Sequence, residues 1–351
     1  MLYNKKYYLQ TACKNEDWKE YFVMNTTIRF PYLGLEFHPG QTFNLFGISV
    51  AYYGICIGLA MFAGAFIVYY IAHRTKQNVE DYLDFTILAI IFSIIGARLY
   101  YCIFNWELYA DNPVKIITGI REGGLAIYGG IIAAVITLIV FCRIRRCSFW
   151  IMADTACAGL CLGQAVGRWG NFFNREAFGG YTDSIFAMQI PTAQAHGVTR
   201  ELLLNARIYN GESYIQVHPT FLYESIWNIA LFAIILFVIK HKKFRGQAFA
   251  TYLFGYGLGR TWIELLRTDS LLIPGTTIPV SVIVSVAAMA FAAVYVCYRL
   301  FWDRNGLLPE DSKVPADGSR PSRRILRHKK DVTAGFNVIE EVVEEESDNK
   351  K

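Results

Sequence analysis

The residues Gly167-Arg168-Trp169-Gly170-Asn171-Phe172-Phe173-Asn174-Arg175-Glu176 place two arginines, two asparagines and a glutamate directly after an apolar run from Phe149 to Val166. Ionisable side chains at the end of such a run are costly against lipid. They are functional candidates by default, usually facing protein or a water-filled interior. A second set follows: Tyr256, Arg260, Glu264 and Arg267, at spacings of 4, 4 and 3, share one face of an α-helix. Guanidinium groups match phosphate through paired, charge-assisted hydrogen bonds. The chemistry on offer is therefore recognition of a phosphate at membrane depth, where a phospholipid head group is the one most available. The competing reading is internal glue, with Arg168, Arg260 and Arg267 paired to Glu176 and Glu264. Gly167 and Gly170 favour a ligand at Arg168, since glycine leaves the backbone open to close approach.

Elements that span a bilayer must position these groups. Hydrophobic residues make up 54% of the 351 residues and charged residues 18%, whereas soluble domains run at about 25% charged. Seven stretches reach the roughly 20 apolar residues that a crossing needs: 46–72, 83–104, 123–142, 149–167, 220–240, 247–266 and 277–299. The fold expected is all-α, a polytopic integral membrane protein of about seven transmembrane helices. Residues 1–43 form an N-terminal extension outside the membrane, 44–300 the membrane domain, and 171–218 an outer loop whose mixed composition suits a small folded cap. Residues 301–351, basic and then acidic with few aromatics, read as a solvated, disordered cytoplasmic tail.

Lysine and arginine in short loops set the orientation. Arg74 and Lys76, Arg143, Arg145 and Arg146, Lys240 to Arg245, and Arg299 and Arg304 follow segments 1, 3, 5 and 7. These loops are expected in the cytoplasm, with the amino terminus outside. Lysines before Met24 oppose this; that stretch shows no signal-peptide pattern, and a start at Met24 would remove most of the conflict. On this topology Tyr53, Arg98, Tyr128, Arg168, Asn171, His218, Glu224, Arg260 and Glu264 collect in the outer half of the membrane, while Asp154 lies nearer the cytoplasm.

Several of these residues admit plainer readings. Tyr53 and Tyr128 suit an interfacial aromatic belt, in which tyrosine is enriched. Gly123-Gly124 and Gly129-Gly130 around Tyr128 mark tight packing or close ligand approach. His218, before Pro219, reads as a helix start or as a ligand contact. Glu224 reads as a partner for an arginine, and Asp154 as a group that orients a neighbouring helix. The eight cysteines form no CxxC, and Cys157 and Cys161, without a histidine, read as core thiols. No basic segment carries a groove-binding motif, so nucleic acid is not an expected partner.

The block from Gly167 to Glu176, with Gly179, resembles the signature of the prolipoprotein diacylglyceryl transferase family. Tyr52-Tyr53-Gly54, Gly96-Ala97-Arg98, the run Gly123 to Gly130, His218 to Glu224, and Gly255 to Arg260 with Glu264 and Arg267 are similar to its other motifs, in order, over about residues 44–300. The resemblance implies a bacterial cell-membrane enzyme without metal or organic cofactor. It would move the diacylglyceryl group of phosphatidylglycerol to the lipobox cysteine of a prolipoprotein signal peptide. By the same resemblance Arg168 and Arg260 hold the lipid phosphate, Asn171 and Gly179 position the head group, and Glu176 holds Arg168 or the loop. Tyr53 and Tyr128 join the catalytic set, and Tyr256, Arg98, His218 and Glu264 the substrate contacts.

One position departs from the family pattern: many members carry a histidine where this chain has Tyr128. Histidine titrates near neutrality and tyrosine near 10, so this chain lacks a histidine base at that position. Two other classes compete with the enzyme. A small-molecule or ion transporter would also hold intramembrane polar groups, although transporter sites usually lie near the midplane between repeats. A non-catalytic lipid-binding scaffold is the third.

Overall fold

The computed structural model describes residues 27–119, 123–273 and 275–302. The Met24 start and the disordered tail expected above lie outside the described residues. In chain order the elements are β1 (Ile28–Phe30), β2 (Leu35–Phe37), β3 (Thr42–Leu45), β4 (Ile48–Ala51), α1 (Tyr52–Arg74), α2 (Val79–Phe104), α3 (Lys115–Thr118), α4 (Ile127–Arg145) and α5 (Phe149–Asn174). Then come β5 (Met188–Pro191), α6 (Arg200–Leu204), β6 (Arg207–Tyr209), β7 (Glu212–Val217), α7 (Thr220–His241), α8 (Gln247–Glu264) and α9 (Val280–Cys297).

Six of the described helices are long and apolar enough to cross a membrane: α1, α2, α4, α5, α7 and α9 with its extension to Phe301. The expected polytopic helical protein is therefore what the chain forms, with six such helices where seven were read. The remaining stretch does form a helix, α8, of 18 residues. Its three glycines at 255, 257 and 259, with Arg260 and Glu264, dilute its apolar character.

Contacts divide the chain into two units. The first takes the described residues up to 64, with 158–235 and 250–295. Here the N-terminal segment and the 171–218 region build one antiparallel sheet in the order β2-β1-β5-β7-β6. Ile28, Phe30, Met188, Ile190, Ile215 and Val217 from its strands bury one face against Phe172 of α5 and Phe221 of α7. Strand residues of alternate orientation thus seat the sheet on the helix ends that carry the polar groups. In the middle, Gln189 pairs in register with Gln216 and donates to it at 3.0 Å, and Gln216 in turn donates to the Thr182 carbonyl at 2.7 Å. A buried polar pair with its own acceptors avoids the desolvation penalty of orphaned amides.

Two boundaries differ from expectation. Segment 1 was read from residue 46, yet α1 begins at Tyr52, because Ile48–Ala51 pairs with Thr42–Leu45 as a hairpin. Phe46 and Gly47 turn it with φ of 50° and 83°, the left-handed pair that a tight hairpin turn requires. Segment 4 was read to residue 167, yet α5 continues to Asn174. The signature block is therefore the last two turns of a helix rather than a loop beyond it. Arg175, at φ 54°, ends the helix, and its buried guanidinium donates to the carbonyls of Phe173 and Pro39.

The second unit takes 65–157, 236–249 and the described residues from 296. In it α2 and α4 cross at Gly96 and Gly129. A Cβ on Gly129 would stand 2.3 Å from the Tyr100 Cβ and 2.4 Å from the Gly96 carbonyl oxygen. Small residues let the two backbones touch, the usual basis of helix association in lipid. Asp154, fully buried, accepts from Lys242 Nζ at 3.0 Å, from the Gly246 amide at 2.9 Å and from the Phe249 amide at 2.9 Å. It caps the first turn of α8 from another helix, satisfying amides that the helix cannot. This is the orienting role read for it from the sequence.

Candidate functional site

Glu224, in the first turns of α7 and 4% exposed, is the centre of the polar cluster in the first unit. Its Oε2 forms an ion pair with Arg168 Nε at 2.7 Å, and its Oε1 accepts from Arg260 Nη1 at 3.0 Å. Arg267 Nη1 stands 3.9 Å from the same Oε1. A carboxylate removed from water needs such partners, since an isolated buried charge is prohibitive. Sequence reasoning saw Glu224 as an arginine's partner but did not place it in the site. Its position one turn after Pro219, in an otherwise apolar helix, was the available signal.

The arginines differ in how far they are committed. Arg260 is held on both sides, by Glu224 and by Glu264 Oε2, 2.5 Å from its Nη2. That second contact is an ion pair by distance only, because no donor hydrogen is aligned on the Glu264 oxygen. Arg267 lies beyond the end of α8, not on the helical stripe expected for it. It forms a two-point pair with Asp269, at 3.0 and 2.9 Å. Arg168 is bound through Nε alone. Among the described residues no acceptor engages its Nη1 or Nη2, and its side chain is 21% exposed. A guanidinium anchored at Nε and open along its outer edge can still offer two parallel N–H donors to an oxyanion.

The glycines beside Arg168 serve packing. A Cβ on Gly170 would stand 2.8 Å from the Tyr53 ring, and one on Gly167 would meet Ala60 and Ile57 at 3.8 Å. Both glycines face α1, so the open backbone expected for a ligand is filled by Tyr53 and its neighbours. Tyr53 is thereby locked against the helix that carries Arg168.

The rest of the signature holds the loop. Asn171 Nδ2 donates to Glu176 Oε1 at 3.0 Å and Asn174 Nδ2 to the same oxygen at 3.3 Å. Of the two roles foreseen for Glu176, holding Arg168 or the loop, the described hydrogen bonds favour the loop: they tie Glu176, just past α5, to the last turn of that helix. Gly179 is a junction: its amide donates to the His218 carbonyl at 3.0 Å, and a Cβ there would meet the His218 Cβ at 2.7 Å and the Leu266 carbonyl at 2.8 Å. His218 shares a 3.3 Å hydrogen bond between Nδ1 and the Tyr223 hydroxyl, and burial holds its pKa below the usual histidine value.

The α8 glycines are explained by two neighbours. Gly255 and Gly259 receive Leu231 and Trp227 of α7, whose indole donates to the Gly255 carbonyl at 2.9 Å, while Gly257 faces Ser285 and Met289 of α9. Close approach on both sides brings Arg260 within reach of Glu224. Tyr256 stacks on Tyr252 at 5.6 Å and lines a narrow cleft with Glu224, Trp227, Asn228, Gly259, Arg260 and Ile263.

Arg98 and Tyr128 belong to the second unit. Arg98, expected to touch substrate, is 4% exposed and donates to the carbonyls of Ile116, Gly123, Gly124 and Lys115 at 2.7 to 3.1 Å. Its guanidinium is spent on fastening the loop between α2 and α4. Gly124, at φ 72°, gives it room, since a Cβ would stand 2.6 Å from Arg98 Nη1. Tyr128 sits in the first turn of α4, half-buried beside the Gly129 crossing.

The fold and the site define a class: a multi-pass helical membrane protein holding a buried arginine–carboxylate cluster at the helix ends beneath a small sheet. Residues 41–298 match the family model for prolipoprotein diacylglyceryl transferase. The chain is 36% identical over 266 residues to the phosphatidylglycerol–prolipoprotein diacylglyceryl transferase of Thermosynechococcus vestitus, covering 75% of this chain and 93% of that one. It is 38% identical over 257 residues to the enzyme of that name from Oceanobacillus iheyensis, covering 72% and 85%, and 40% identical over 231 residues to that from Clostridioides difficile, covering 66% and 84%. The chain belongs to the prolipoprotein diacylglyceryl transferase family and is a bacterial multi-pass membrane protein. The transporter alternative finds no support among these relatives.

Proposed function

We propose that this protein transfers the diacylglyceryl group of phosphatidylglycerol to the lipobox cysteine of prolipoproteins in the outer half of the cell membrane. The observation that carries the site assignment is Arg168, paired through Nε with Glu224 and, among the described residues, without a hydrogen-bond partner at either terminal nitrogen. Membership of the family supplies the reaction.

The chemistry follows from the two bonds exchanged. The cysteine sulfur attacks the glyceryl carbon that bears the phosphate ester. A C–S thioether bond forms, the C–O bond to phosphorus breaks, and glycerol 1-phosphate leaves with one more negative charge than the diester had. Arg168 stabilises that charge as it develops, with Arg260 behind it. Donors fixed before the reaction are worth most in a site that excludes water. Glu224 is the positioning residue, setting both guanidiniums at one carboxylate, and Asn171, Glu176 and Gly179 hold the turn that follows Arg168. Tyr53, Tyr256 and Glu264 border the same cluster, and His218 packs on Gly179. Arg98 acts through its loop.

The thiol must lose its proton, because the thiolate is the nucleophile and a free cysteine titrates near 8.5. Tyr128 serves as a hydrogen-bond donor to the lipid, and the proton passes to water or to the departing phosphate. Purified protein given labelled phosphatidylglycerol and a lipobox peptide tests the function: label on the peptide cysteine supports transfer, and binding without transfer leaves only a lipid-binding scaffold. Tyr128→Phe tests the proton's route. Turnover near that of the unaltered protein is expected, and loss of turnover with intact lipid binding would return the base to Tyr128.

A further inference from the structure

Outside that cluster the second unit holds two thiols that meet one thioether sulfur. The turn between α4 and α5 is a six-residue reversal in which the Cys147 amide donates to the Cys142 carbonyl at 3.0 Å and Arg146 takes φ 54°. This C-terminal helix motif brings the side chains on either side of the left-handed residue together. Met152, in the first turn of α5, closes the group: its Sδ lies 3.5 Å from Cys142 Sγ and 3.3 Å from Cys147 Sγ. The sequence rule is Cys142-x4-Cys147-x4-Met152. Cys142 and Met152 are 5% and 3% exposed, Cys147 is half-buried, and Tyr82, Leu138, Phe141 and Phe149 surround them.

Among the described residues no three histidine, cysteine, aspartate or glutamate side chains converge as a metal group would require. Here the third donor is a thioether. Two thiols and a thioether form a set that hard cations avoid and soft ones select. With metal–sulfur bonds of about 2.3 Å, three sulfurs around one ion stand roughly 4 Å apart, against 3.5 and 3.3 Å from the two thiols to the Met152 sulfur. The apolar wall excludes water, and Cys147 gives an entry from the turn.

We propose that Cys142, Cys147 and Met152 form a binding site for a soft monovalent cation of the Cu(I) class. Binding forms three metal–sulfur bonds and releases one proton from each thiol to solvent, with no change in oxidation state. The site is independent of the transferase chemistry: none of its residues belongs to the cluster around Glu224.

The test is an anaerobic titration of the full-length protein with Cu(I) against the chromophoric chelator bathocuproine disulfonate. The unaltered protein is expected to withdraw one equivalent, Cys147→Ser to lose it, and Met152→Leu, which keeps the side-chain volume, to hold it at least tenfold more weakly. X-ray absorption of the loaded protein is expected to show sulfur donors only. Transferase activity and melting temperature of Met152→Leu, both expected near those of the unaltered protein, establish that the variant is folded. Failure of the unaltered protein to take up copper, or equal uptake by all three proteins, overturns the proposal.

Discussion

Arg168 Nε forms an ion pair with Glu224 Oε2 at 2.7 Å, while the other oxygen of that carboxylate accepts a hydrogen bond from Arg260 at 3.0 Å. One buried carboxylate therefore aims two guanidiniums from two helices. Its removal is expected to disturb both arginines together. Glu224→Gln keeps the shape but leaves Arg168 without its counter-charge and Arg260 with Glu264 alone. Breaking a buried pair from one side costs about 3–5 kcal/mol, so the variant is expected to melt at clearly lower temperature. Misplacing the guanidiniums by about an ångström is expected to lower turnover on the order of 100-fold. A melting curve and a transfer assay check both; an unchanged turnover would show that Glu224 does not aim them.

Arginine at position 168 is expected to be irreplaceable by lysine. An ammonium can meet Glu224 or a phosphate as a point charge, but it lacks the fork that meets both at once. Arg168→Lys is expected to insert in the membrane and to lose nearly as much turnover as Arg168→Ala. Near-normal activity of the lysine variant would reduce the role of Arg168 to charge alone.

Gly170 and Tyr53 are expected to be coupled. A methyl group at 170 would stand 2.8 Å from the Tyr53 ring, and overpacking of this kind costs about 1–3 kcal/mol. Gly170→Ala should destabilise the protein, and Tyr53→Ala should remove most of that penalty. A double-mutant cycle on melting temperature measures the coupling; strictly additive effects would contradict the packing described.

His218 makes stability depend on pH. Burial lowers its folded pKa from 6.5, so between 6.5 and that lower value the unfolded chain binds a proton that the folded chain does not. Stability is then expected to be lost as pH falls below about 6.5, and to be retained above it. His218→Gln should flatten the part of the melting-temperature profile between pH 7 and pH 5 that this residue contributes. An identical slope in both proteins would refute it.

The membrane helices were legible because a bilayer demands long apolar runs, and those runs are written plainly. The hairpin before α1 was not, since Ile48-Ser49-Val50-Ala51 is apolar enough to read as helix until Thr42–Leu45 is known to pair with it. The end of α5 was hidden for a similar reason: two glycines and an arginine look like a loop, yet packing of Gly167 and Gly170 on α1 sustains the helix. Arg260 and Glu264 announced themselves by spacing, as polar groups on one helical face. Glu224 did not, because its importance comes from two arginines that lie 56 residues before it and 36 after it. Arg98 stood out by type alone; only its four carbonyl partners reveal a loop fastener.

The most direct measurement is release of glycerol 1-phosphate against thioether formation by purified protein and its Arg168→Ala variant, with phosphatidylglycerol and a lipobox peptide. One phosphate released per thioether is expected from the unaltered protein. Loss of a charge-stabilising donor costs on the order of 100- to 1,000-fold in kcat, and Arg168→Ala is expected to fall by that amount while still inserting in the membrane. Full kcat in the variant would contradict the account.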